Sequence, residues 1–166
     1  MDLLSAIATC SLHGDVGLVI AMAMTFSHGN PYMVQNVVED DASAYVQEQD
    51  DSLRLPMPAA PKAPRSRAEA EAQLRNIAES EGSPVVGLLP VPVSWAAEWG
   101  RKPTDLFNVC IDVSIATAKL SEFEYECGGA KAGRECVLHA YAEAVGMEDL
   151  ELDVLAEITT QRMGKQ

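Results

Sequence analysis

The chain has 166 residues, enough for one compact domain and little more. Acidic residues outnumber basic ones 25 to 12, for a formal net charge of -13. Such a field repels phosphate backbones and anionic lipid surfaces, which argues against nucleic-acid and membrane-surface partners. Hydrophobic residues make up 48% and aromatics only 5%, so the core has to be built from Ala, Val, Leu, Ile and Met, a mix that suits packed helices.

A first helix is expected from Asp2 to Cys10, rich in Leu, Ala and Ile, followed by a turn at His13-Gly14. Asp15 reads as the N-cap of a second helix reaching Ser27. That helix is apolar on nearly every side, from Val16 through Met24, and belongs at the centre of the fold. Gly29-Asn30-Pro31 ends it, since glycine suits a helix C-terminus and proline cannot continue one. The same apolar stretch, Val16 to Phe26, is too short to span a bilayer core of roughly 30 Å. It also makes a poor signal peptide: no Lys or Arg precedes it, and Asp2 and Asp15 lie upstream. The chain is therefore expected to be either intracellular or a mature form whose leader was removed.

Residues 32–64 differ in composition. Tyr32 to Val38 alternates as a short strand, and Ala44 to Gln47 is its expected hairpin partner, with the acidic run Glu39-Asp40-Asp41 at the tip. Pro56, Pro58, Pro61 and Pro64 make an extended connector. Ser66-Arg67-Ala68-Glu69 is a capping box opening a helix to Glu81, broken by Gly82-Ser83-Pro84. The apolar run Val85 to Leu89 leads into Pro90-Val91-Pro92, where two prolines forbid a regular helix. A short helix is expected from Ser94 to Trp99, closed by Gly100, and Thr104 is a candidate cap for a turn at Asp105 to Phe107. Asp112 to Glu126, Gly133 to Val145 and Glu148 to Met163 complete the helices. The fold class is thus mainly α: a single domain over residues 1–166 with about seven helices and a small β-hairpin or irregular lobe.

The four cysteines, Cys10, Cys110, Cys127 and Cys136, lack the paired CxxC spacing of a structural zinc site. Their even count permits two disulfides in an exported protein, and buried free thiols in a cytosolic one. Cys127 and Cys136 flank a Gly-rich turn and suit a small closed loop. His13, His28 and His139 share no spacing that suggests a metal or a catalytic triad, and no phosphate loop or dinucleotide motif is present. No cofactor or metal is expected.

Several short motifs then recur in one order. Leu3-Leu4-Ser5-Ala6-Ile7-Ala8-Thr9-Cys10, Ser27-His28-Gly29-Asn30-Pro31, Pro64 to Ala70, Val86-Gly87-Leu88-Leu89-Pro90-Val91-Pro92-Val93-Ser94, Phe107-Asn108-Val109-Cys110 and Ala140-Tyr141-Ala142 follow one another between residues 3 and 145. In this arrangement the chain resembles the lytic transglycosylase subunits that accompany type IV secretion and conjugation systems, relatives of goose-type lysozyme. The resemblance implies a lysozyme-like fold, with the C-terminal helix at 147–166 lying beyond it. It also implies a peptidoglycan context and a periplasmic or cell-envelope location, where the cysteines would be oxidised.

The departures fall on the residues that carry the family's chemistry. The family ends its buried helix in a glutamate, directly before the Ser, which protonates the glycosidic oxygen and later recovers the proton. Here that position is Phe26, whose ring has no proton to give and no charge to stabilise an oxocarbenium-like transition state. The family's groove Gln and Asn fall on Pro90 and Pro92, and the Asn after Tyr141 falls on Ala142. No catalytic residue is therefore assigned. The resemblance implies a degenerate groove of Phe26, Ser27, Asn30, Leu88, Pro90, Pro92, Tyr141 and Ala142, remade as an apolar surface suited to a protein partner.

The expected function is a catalytically inactive binding or assembly module, with secretion-system components as candidate partners and peptidoglycan as a weaker one. Two alternatives stand beside it. One is an active enzyme with a relocated acid, for which Glu39 and Glu81 are the candidates. The other is an acidic regulatory subunit that engages a basic partner electrostatically.

Overall fold

The structure, a computed structural model, describes residues 2–37 and 63–163. Helix starts follow the caps. Asp2 accepts from the Ser5 N–H at 2.9 Å and opens α1, Leu3–Cys10. Asp15 accepts from the Leu18 N–H at 3.2 Å and opens α2, Val16–Ser27, as the sequence suggests. His28 then takes a left-handed φ of 52° and stops that helix. Ser66 caps α3, Arg67–Glu79, by accepting from the Glu69 N–H, while the Glu69 carboxylate reaches back to the Arg65 N–H.

Strands β2, Pro84–Val86, and β3, Val91–Pro92, come next, and α4, Val93–Glu98, starts directly behind Pro92. A 3₁₀ turn at Pro103–Phe107 contains Thr104, and its start is closed instead by the Lys102 N–H donating to Asp105. The next helix, α5 at Val109–Glu126, begins three residues before the expected Asp112. The reason is Asn108, whose side chain accepts from the Ile111 N–H at 3.2 Å, so that Asp112 lies inside the helix. A short 3₁₀ turn at Gly129–Lys131 precedes α6, Arg134–Val145, and α7, Leu150–Met163, closes the set.

The expected strand at 32–38 is present as β1, Val34–Asn36. Its partner among the described residues is β2, with Val34 opposite Val86 and Asn36 opposite Pro84, and β2 pairs in turn with β3. All three strands run antiparallel, in the order β1-β2-β3. The expected hairpin arm at 44–47, the acidic run that includes Glu39, and Pro56, Pro58 and Pro61 lie outside the described residues.

Most of α2 is buried, with Leu18, Val19, Ala21, Met22 and Ala23 all at 1% exposure or less. It runs beside α1 and α7, and α5 packs against α1 and α6. On α7 the residues Leu150, Val154 and Ile158, spaced four apart on one face, are buried. Full burial of such a side chain stabilises by about 1.5–3 kcal/mol. The four cysteines form two disulfides: Cys10–Cys110 ties α1 to the start of α5, and Cys127–Cys136 closes the loop between α5 and α6. Among the described residues no helix is long and apolar enough to cross a membrane.

Candidate functional site

A cleft of about 1250 Å³ opens between the end of α2, strand β1 and the junction of α6 with α7. Its buried lining is apolar: Phe26, Ala142 and Leu150, joined by the half-buried Met147. Gln35, Asn36 and Val37 form one side. The other side is acidic, with Glu143 from α6 and Glu148, Asp149, Glu151 and Asp153 from the α6–α7 junction and the first turn of α7. His139 is the one basic side chain type in this lining. Its Nδ1 meets Glu151 at 2.9 Å and its Nε2 lies 3.8 Å from Glu143. The hydrogen bond to Glu151 and the charges of Glu151 and Glu143 hold its pKa above the ordinary histidine value.

Of the eight residues expected in the groove, only Phe26 and Ala142 line this cleft. The others are drawn inward by a different task. The β2–β3 turn, residues 87–90, is fully enclosed and held from three helices at once. Ser27 of α2 donates to the Leu88 carbonyl at 2.8 Å. Tyr141 of α6 donates to the Pro90 carbonyl at 2.7 Å, and Asp112 of α5 accepts from the Leu89 N–H at 2.7 Å. Leu88, Tyr141 and Ser27 are therefore buried structural residues, with exposures of 0%, 0% and 1%. Pro92 is half-buried at the start of α4. Asn30 donates to the Pro64 carbonyl at 2.7 Å and accepts from the Tyr32 N–H, so it closes the chain leaving α2. The expectation of a continuous apolar groove is thus replaced by an apolar floor with one acidic wall.

Asp112 was not singled out from the sequence. It is fully buried, and its Oδ1 has no hydrogen-bond partner among the described residues. Burial pushes its carboxyl well above the ordinary carboxylate range, against the amides of Leu89 and Leu88, which favour the anion. Gly87 makes this approach feasible. Its φ is +105°, and a Cβ there would lie 2.1 Å from Asp112 Oδ1. The one desolvated carboxyl in the described residues therefore sits behind the β2–β3 turn and does not line the cleft. Glu81, a candidate relocated acid, is exposed at the end of α3 with a left-handed φ of 57°, and it too stands apart from the cleft.

A second cavity of about 480 Å³ lies beside the Cys127–Cys136 loop, lined by His13, Asp15, Glu124 and Arg134 among others. Its polar groups are mutually satisfied. His13 Nδ1 accepts from the Asp15 N–H at 3.1 Å, and its Nε2 meets the Glu124 carboxylate. Arg134 grips Asp15 with two hydrogen bonds of 2.7 Å, and this guanidinium holds the Asp15 carboxyl below its ordinary value. The cluster ties the start of α2 to α6 and leaves neither ring nitrogen of His13 open for chemistry. Among the described residues no group of three or more His, Cys, Asp or Glu side chains is placed to hold a metal ion.

No family model matches the chain, and no curated protein and no solved structure matches it either. The acidic wall of the cleft escaped the sequence reading because it comes from the helix beyond the motifs. Its signal was there: Glu148, Asp149, Glu151 and Asp153 interleave with the four-residue spacing of Leu150, Val154 and Ile158.

Proposed function

We propose that this chain is a non-catalytic, lysozyme-like binding module of a bacterial secretion or cell-envelope system, and that the cleft over Phe26 receives a protein partner. The observation that carries the reading is Phe26 itself. It lies in the floor of the cleft between α2, β1 and the α6–α7 junction, at the helix end where the resemblance implies a glutamate. Glycosidic cleavage needs a desolvated carboxyl beside the bond to be broken. Of the carboxylates that line the cleft, Glu143, Glu148, Asp149 and Asp153 are exposed, and the half-buried Glu151 is bonded to His139, so none of them is a desolvated acid. A cleft of about 1250 Å³ also exceeds the usual small-molecule range of roughly 300–1,000 Å³ and suits a stretch of chain. The two disulfides support an oxidising compartment, in keeping with the periplasmic setting of the proteins it resembles. Incubation with purified peptidoglycan sacculi, followed by mass spectrometry of the soluble fraction, is expected to yield no anhydro-muropeptides. Their release at a rate above a heat-killed control would overturn the reading.

A further inference from the structure

We infer that the occupant of the cleft is a basic protein segment, Lys- or Arg-rich and carrying one large apolar side chain that seats against Phe26 and Leu150. The inference rests on the binding-module reading above and adds the chemistry of the partner.

Charge complementarity is the first argument. Glu143, Glu148, Asp149, Glu151 and Asp153 face the cleft, and among the described residues no Lys or Arg lines it. Only His139 offsets them, and it is already engaged by Glu151. Five carboxylates around one cleft repel an acidic chain and draw a basic one, and the net charge of -13 extends the same pull into solution. Glu143, Glu148, Asp149 and Asp153 are exposed, so four of the five carboxylates are accessible to a partner's long cationic side chains.

The floor supplies the second argument. Phe26, Ala142 and Leu150 are 7%, 2% and 3% exposed and offer little area of their own, but with the half-buried Val37 and Met147 they give the cleft a fixed apolar floor. A purely electrostatic site needs no such floor, whereas an anchoring Leu, Phe or Met of a partner does. The size of the cleft gives the third: it has room for several residues of chain, well beyond one cation.

The test uses fluorescence anisotropy with three labelled octapeptides. The first has four lysines around a central Leu-Phe pair. The second replaces the lysines by serine, and the third replaces them by glutamate. The full chain with both disulfides intact is expected to bind the first peptide, and the others at least about tenfold more weakly. The triple substitution Glu148→Gln, Asp149→Asn, Asp153→Asn should weaken binding of the lysine peptide about tenfold. Neutralising the exposed pair Glu126→Gln, Glu135→Gln, neither of which lines the cleft, should leave binding within about twofold. Circular dichroism melts accompany each variant, so that a folding defect is distinguished from lost contacts; Phe26→Ala, which keeps the wall and thins the floor, serves as a second probe. Equal loss from the cleft triple and the pair outside the cleft overturns the inference, as does binding that ignores Phe26→Ala. Tight, Phe26-dependent binding of the serine peptide overturns the basic partner and leaves the binding-module reading standing. Absence of peptide binding together with capture of soluble muropeptides overturns both.

Discussion

Asp112 places a carboxyl where no solvent reaches, one oxygen on the Leu89 amide and the other without a hydrogen-bond partner among the described residues. Burial raises its folded value well above the ordinary aspartate value of about 3.8, so folding takes up a proton at this site. The stability it contributes is fully present below about pH 3.8 and is lost as pH rises toward the folded value. An Asp112→Asn variant keeps the acceptor for Leu89 and removes the titration. Its urea midpoint is expected to be flatter with pH than that of the wild type, and higher near neutrality; unchanged pH dependence would place the effect elsewhere. Asp112→Ala strands the Leu89 amide and opens a cavity, and is expected to lose about 2–4 kcal/mol. Gly87→Ala meets both the left-handed φ and the 2.1 Å approach to Asp112, so a loss of about 3 kcal/mol or more is expected in the same unfolding experiment.

Between elements, the two cross-links differ in reach. Cys10–Cys110 closes a loop of 100 residues and Cys127–Cys136 one of 9. The chain-entropy account assigns them about 4.7 and about 2.6 kcal/mol. Equilibrium unfolding of Cys10→Ala/Cys110→Ala and of Cys127→Ala/Cys136→Ala should therefore rank in that order, and a reversed ranking would mean that native contacts, not loop closure, set the difference. The same local-versus-distant divide explains what was readable in the sequence. Caps act over three residues, so Asp15 and Ser66 announce α2 and α3, and the prolines at 90 and 92 exclude a regular helix there, where the structure has a turn and the short β3. The pairing of β1 with β2 bridges residues about fifty apart in the chain, and no local signal specifies it. Asn108 belongs to the Phe107–Cys110 motif and also caps α5, which places Asp112 inside the helix and not at its start. At the site, Phe26 and Ala142 were legible through the motifs, while Ser27, Leu88 and Tyr141 were drawn into a buried clamp on the β2–β3 turn. That clamp is a tertiary arrangement of three helices, and spacing along the chain carries no trace of it.

For the molecule as a whole, a net charge of -13 on 166 residues is a source of self-repulsion. Salt screens it over a Debye length of about 10 Å at 0.1 M. Raising sodium chloride from about 10 mM to about 200 mM is thus expected to raise Tm by a few degrees and, over the same range, to weaken binding of the lysine octapeptide. Opposite responses of folding and binding to one variable would tie both to the acidic surface; parallel responses would separate them. The long disulfide also bears on time. A chain emerging from its N-terminus at about 5–20 residues per second presents Cys10 roughly 5–20 s before Cys110. When Cys110 arrives, it is the first thiol that Cys10 meets, because Cys127 and Cys136 have yet to emerge. The order of synthesis therefore favours the native pairs, among the three pairings that four cysteines allow, wherever Cys10 and Cys110 oxidise faster than the 17 residues from Ile111 to Cys127 emerge.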